Sequence, residues 1–299
     1  MREGGIYIGI KDIFTLRKYR RKLSGEDTDK VKRNFWGLGV GSRIAVTATG
    51  RFAGTSLFSV MLAGFISKNG FEVCFTEYGV PETKTTLIYD SYAMEQRFSR
   101  TGFVDFYEAA ARGERLSGLN NLEKITAEQK NKVNVFAASE ETGFEKENSY
   151  IDWRVICPKD IDRNIRLDDG QFSRLESSAR GEFNISDVEA DPYFDFILSD
   201  ADLIFVLVCP MPSRLIREAE RIKAFKRMEK DARVIWVINR MNSGVSKREI
   251  YKILRSNDIL FIDEISTEIL CGCEYKCSYP WTSDECRNAF WSVFTKDSH

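Results

Sequence analysis

The sequence predicts an α/β protein: a doubly wound, mostly parallel sheet with helices on both faces. Three observations predict it. Leu203-Ile204-Phe205-Val206-Leu207-Val208-Cys209 is apolar on both faces, as a central parallel strand must be. Residues 43–77 read as strand, Gly-punctuated turn, helix and strand, a unit that demands parallel pairing and a right-handed crossover. Strand and helix patterns then keep alternating to Ile262, the order expected of an open α/β sheet of six or seven strands.

Arg43 to Thr49 opens the series as a short β-branched strand, and Gly50 breaks it. Thr55 to Asn69 sets Leu57, Phe58, Val60, Met61, Leu62, Phe65 and Ile66 on a broad helical face, and Asn69-Gly70 stops it with residues that tolerate positive φ. Phe71 to Glu77 is the next strand. Val80 to Tyr150 is polar, with Glu95–Arg112 and Asn121–Lys132 predicted as helices. Strands return at Ile151–Cys157 and Glu182–Asp187. After Pro210 and Pro212, Ser213 is placed to cap a helix whose Leu215, Ile216, Ala219, Ile222, Phe225 and Met228 recur at spacings of three and four. Arg233 to Ile238 is a further buried strand. Ser246 and Glu249 form a capping box for a helix to about Ser256, before a last strand at Ile259–Ile262.

Composition narrows the chemistry. The 299 residues carry 44 Lys+Arg against 45 Asp+Glu, a net charge of -1, seven Cys and one His. That histidine is His299, the last residue, so a triad, a Cys-His dyad or a His-containing zinc site is excluded in practice. Balanced charge argues against specific nucleic-acid binding. No secretory signal is read at the start, and the longest apolar run, Leu203–Met211, is about half of a bilayer crossing. Cys74, Cys157 and Cys209 stand alone in apolar segments, as buried thiols do in reduced cytosol, so a cytoplasmic location is expected. Cys271-Gly272-Cys273, Cys277 and Cys286 lack the second knuckle a zinc site needs and fit no iron–sulfur spacing. Asp168-Asp169 and Glu140-Glu141 read as charged loop residues.

Two segments are distinguished along the chain. Residues 1–42 form a basic arm in which Ile10, Ile13, Phe14, Leu16, Tyr19 and Leu23 fit a short amphipathic helix. Its readings are a solvated arm or weak contact with a membrane or acidic surface. Residues 43–299 form a single α/β domain with a polar helical insert around 80–150.

Ligands of open α/β sheets bind beyond the carboxyl ends of the strands. The first such turn is Thr49-Gly50-Arg51-Phe52-Ala53-Gly54-Thr55-Ser56. Against the phosphate-loop pattern GxxxxGKS/T it keeps Gly54 and Ser56, with Thr49 for the opening Gly and Thr55 for the Lys. Two readings of the turn stand: an anion cradle at a helix N-terminus, and a tight βα connection.

In this register the segment resembles the deviant P-loop family of MinD and ParA ATPases (SIMIBI class), whose loop reads KGGxGKT. Gly50 stands at the family's signature Lys, and Arg51 and Phe52 at its two Gly. Ser199–Val206 resembles the strand after the family's switch II, and Pro210 and Pro212 sit where that strand commonly ends. Val237-Ile238-Asn239-Arg240 resembles the strand ending in Asn-Lys/Arg, and Asp187 matches the first residue of the switch II DxxPG motif. Glu77 falls where the family carries an Asp.

The resemblance implies ATP/ADP and magnesium held by Gly50, Arg51, Gly54, Thr55 and Ser56, with Asn239 at the adenine. It makes Ser56 and Asp187 magnesium ligands and Asp187 the catalytic carboxylate. It further implies a scaffold or localisation role, protein partners and a homodimer. With both lysines absent, the loop reads as a degenerate Walker A motif on a nucleotide-binding pseudo-ATPase, at most a weak ATPase. Arg51, Ser56 and Asp187 rebuilding an active site is one alternative; a nucleotide-independent interaction module is the other.

Overall fold

The computed structural model describes residues 38, 41–80, 87–125, 150–159 and 165–295. The expected amphipathic helix of the arm, Glu140-Glu141 and His299 lie outside the described residues.

Eight strands form one sheet: β1 (Ser42–Ala48), β2 (Val73–Tyr78), β3 (Leu122–Lys124), β4 (Tyr150–Arg154), β5 (Phe183–Val188), β6 (Leu203–Val208), β7 (Val234–Met241) and β8 (Ile259–Asp263). Their order is β3-β4-β2-β5-β1-β6-β7-β8, and every pairing is parallel except β3 on β4. The doubly wound, mostly parallel sheet is therefore the observed fold. The extra strand beyond the expected count is β3, whose three residues fall where the sequence predicts the helix Asn121–Lys132. A strand forms there because Leu122–Lys124 registers against Asp152–Tyr150 of β4.

The helices are α1 (Thr55–Lys68), α2 (Leu87–Ser91), α3 (Met94–Arg97), α4 (Phe106–Ala111), α5 (Asp169–Ser177), α6 (Asp195–Ser199), α7 (Pro212–Arg217), α8 (Ala219–Met228), α9 (Lys247–Leu254), α10 (Thr267–Tyr275) and α11 (Asp284–Thr295). Two cores result, one per sheet face. Ile44, Val46 and Ala48 of β1 point with Phe205 and Leu207 into the core shared with α1 and Phe290 of α11. Ala45, Val206 and Trp236 point into the core under α4, α5 and α8. Alternate residues of β1 and β6 serve both cores, which is why these strands read as continuous apolar runs. α1 is buried from Phe58 through Ser67 because the 3₁₀ turn Pro280–Thr282 and α11 close over its back. That approach is tight: a Cβ on Gly64 would lie 2.4 Å from the Trp281 ring.

Several local expectations are corrected. Glu95–Arg112 is not one helix but α3, a turn and α4, with Asp105 capping α4 through the Glu108 N–H at 2.9 Å. Asp168 and Asp169 are not loop residues: Asp168 is the N-cap of α5, in a reciprocal capping box with Gln171. Pro212, not Ser213, begins the next helix, with Met211 at the cap position. That helix breaks at Glu218 into α7 and α8, which leaves Ile216 78% exposed rather than inward-facing. Ser246 caps α9 as expected.

Burial pushes the Cys74 thiol up to about 12, as expected of a thiol packed in a strand. Among the described residues, no group of three or more His, Cys, Asp or Glu side chains is arranged for a metal ion. No helix there is long and apolar enough to cross a membrane.

Candidate functional site

β1 lies between β5 and β6 near the middle of the sheet, and its carboxyl end delivers Thr49–Gly54 to the start of α1. Phe52 takes a positive φ of 61° and is 76% exposed. Gly54 follows with φ 93° and ψ 28°, the left-handed conformation that favours glycine, and leads into an α1 N-terminus with no side-chain cap. A Cβ on Gly54 would lie 2.4 Å from Asn239 Nδ2, so glycine is also the residue that admits the neighbouring strand end.

Each functional group of the turn meets a group from another element. Ser56 Oγ donates to Asp187 Oδ2 at 2.8 Å, across from the end of β5. Asp187 is fully buried and registers between Val46 of β1 and Glu77 of β2. Glu77 is also fully buried, and its Oε2 accepts the Ile156 N–H at 2.9 Å, which gives it a role in joining β2 to the segment after β4. Asn239, at the end of β7, donates from Nδ2 to the Ala53 carbonyl at 2.7 Å and accepts the Arg240 N–H at 2.9 Å. Its amide therefore braces the loop from the β7 side.

Charge around the turn is mixed. Arg51 Nη2 lies 3.6 Å from Glu189 Oε1. Glu189 also accepts the Val80 N–H through Oε2 at 3.0 Å, tying the ends of β2 and β5 to the loop. Thr49 Oγ1 donates to Glu218 Oε2 at 2.5 Å. Arg214 Nη1 donates to the Arg51 carbonyl at 2.9 Å and stands 3.8 Å from Glu218 Oε1. The fold thus brings together Gly50, Arg51, Gly54, Thr55, Ser56, Asp187 and Asn239, all singled out from sequence. It adds Glu189, Glu218 and Arg214, for which the sequence carries no local signal. Glu218 sits inside a helical run, and only the helix break turns it toward β1.

The parts fit a phosphate group in one respect and oppose it in another. Free N–H groups at the uncapped end of a 14-residue helix, plus a hydroxyl–carboxylate pair, suit a phosphate and its divalent cation. The carboxylates of Glu189 and Glu218 repel an anion, and Arg51 and Arg214 are the cations at hand. A cavity of about 270 Å³ opens between Gly79-Val80 and Tyr193-Phe194, walled by Tyr107 and Phe172 and with no residue of the loop in its lining.

No protein-family model matches the sequence, and comparison with curated proteins returned no match. Solved structures do match. The MinC:MinD cell division protein complex of Aquifex aeolicus superposes with a TM-score of 0.56 at 13% identity, covering 86% of this chain and 96% of that one. The ParA family ATPase of Chlorobium tepidum TLS gives 0.55 at 15% identity, with 86% and 95% covered. A Borrelia burgdorferi B31 protein described as a plasmid partition protein, bound to AMPPNP, gives 0.55 at 12% identity, with 85% and 98% covered. At such identities the likeness establishes the fold.

Proposed function

We propose that this chain is a MinD/ParA-like protein that binds a nucleotide at residues 49–56 and works as a scaffold or localisation factor rather than by rapid turnover. The observation that carries the reading is the left-handed Gly54 feeding the uncapped α1 N-terminus, with Ser56 hydrogen-bonded to buried Asp187. In this reading Gly54, Thr55 and Ser56 offer backbone N–H groups to phosphate, and Arg51 offers a guanidinium. Ser56 and Asp187 hold magnesium, which would neutralise phosphate charge. Gly50 and Thr55 stand where lysines would supply the transition-state cations, so hydrolysis is slow. The AMPPNP bound by the Borrelia neighbour supports ATP or ADP as the ligand in this reading, and the MinC:MinD complex supports a protein partner; a homodimer is part of the same proposal.

Thermal-shift titration with ATP, ADP and AMPPNP, with and without magnesium, tests this reading. Stabilisation that saturates, with phosphate release at background level, is expected. No shift at millimolar nucleotide overturns it, and phosphate release abolished by Asp187→Asn would replace it with a working ATPase. A nucleotide-independent interaction module is the second reading, favoured by exposed Phe52, Met211 and Ile216 around the same turn.

A further inference from the structure

Glu218 brings a negative charge to the mouth of the candidate phosphate loop. It is 8% exposed at the junction of α7 and α8, and one carboxylate oxygen accepts the Thr49 hydroxyl. The other lies where the backbone leaves β1: a Cβ on Gly50 would fall 2.1 Å from Oε1 and 2.4 Å from the carboxyl carbon. The carboxylate thus fills the volume that any side chain at residue 50 would take. Arg214 is held between Glu218 and the Arg51 carbonyl, so the nearest cation on α7 faces this carboxylate. Delocalised negative charge spread over oxygens that meet a hydroxyl and a guanidinium is also what a phosphate presents.

We propose that Glu218 is an internal latch on the loop, and that a polyphosphate anion gains residues 49–56 by displacing its carboxylate. The proposal rests on the reading of that turn as a phosphate loop. Displacement removes a like charge and releases Arg214 toward the incoming anion, so the two effects act in the same direction. Glycine at residue 50 is then a requirement of the latch, since the latched carboxylate leaves no room for a Cβ. Glu218 sets the affinity of the loop for anions, and its seat at the helix break couples loop occupancy to the position of α7.

Calorimetric titration of the full chain with inorganic pyrophosphate, and separately with ADP, both in excess magnesium, tests the latch in four proteins. Glu218→Gln removes the charge and keeps the shape. Gly50→Ala keeps the charge and unseats the carboxylate, because the atoms it meets are the far end of a flexible side chain. Glu220→Gln removes an exposed acid paired with Lys223 and controls for net charge. Pyrophosphate should bind about tenfold more tightly to Glu218→Gln and several-fold more tightly to Gly50→Ala than to the natural sequence, with Glu220→Gln unchanged. ADP should follow pyrophosphate. Equal or weaker binding in both variants, while the natural sequence binds, overturns the latch and leaves the phosphate loop standing. Tightening in Glu218→Gln alone reduces the contact to simple repulsion and also overturns it. Tightening for ADP but not pyrophosphate moves the contact to the nucleoside and overturns the latch as stated. Binding to none of the four overturns the latch together with the nucleotide reading.

Discussion

The two flanks of β5 are held together by different means. On one side β1, β6 and β7 stack apolar residues above and below the sheet, and Phe205, Val206, Trp236 and Val237 are all fully buried. On the other, the β2–β4–β3 edge adds a buried polar network to the apolar burial of Phe75 and Trp153. Asp152 Oδ2 pairs with Arg154 Nε at 3.1 Å, and its Oδ1 accepts the Asn121 N–H at 2.7 Å. Asn121 then holds the Trp153 carbonyl at 2.7 Å and both backbone groups of Val104. Arg154 continues to Ser178 Oγ at 2.6 Å and lies over the Phe106 ring. Non-directional burial tolerates small errors of placement, whereas a buried charge pair fails as a unit when one member is removed.

The largest effect expected is in the apolar flank. Trp236→Ala removes a fully buried ring and the hydrogen bond from its Nε1 to Glu229 at 2.5 Å, and should cost about 4 kcal/mol by urea unfolding. A loss under about 1 kcal/mol would break the contrast from that side. Next comes the polar flank, where Arg154→Met leaves Asp152 buried without its cation and should cost about 3 kcal/mol. Asp152→Asn with Arg154→Met should recover part of that loss, and no recovery would show the pair does not act as a unit.

A smaller effect tests the seam where the C-terminal segment closes over α1. Burial and the neighbouring Arg287 push the Lys68 ammonium from 10.5 down to about 7, while its Nζ donates to the Trp281 carbonyl at 3.3 Å. Because the folded pKa lies below the unfolded one, the penalty is complete below pH 7. It shrinks as pH rises toward 10.5, where the unfolded chain also loses the proton. Lys68→Met should therefore stabilise by about 1–2 kcal/mol at pH 6 and by progressively less toward pH 10. A gain that grows with pH would refute the assignment. The smallest change is Asp168→Ala, which removes the α5 cap and should lower stability by about 1 kcal/mol in thermal melts.

The same contrast governs what could be read from sequence. β1, β6 and β7 are legible because burial on both faces forces an apolar composition on consecutive residues. β3 is not, because three residues with Leu122 half-exposed leave no periodicity, and the strand exists only through its pairing with β4. α5 buries little beyond Phe172 and Leu175, although Asp168 and Gln171 did carry a capping-box signal. α10 and α11 follow the last predicted strand and close the core by tertiary contact. At the candidate site, the contiguous turn from Thr49 to Ser56 could be found by position alone. Glu189 and Glu218 could not, since what brings them to the turn is the register of β5 and a helix break 169 residues beyond Thr49.

The strand order also bears on synthesis. β1 emerges first but pairs on both sides with strands made much later, β5 and β6. At about 5–20 residues per second, a ribosome needs on the order of ten seconds to deliver Leu203–Val208 after Ser42–Ala48 has left the exit tunnel. Until β5 is made, late in that interval, the sticky central strand has neither neighbour, and nascent chains are open to aggregation or chaperone capture.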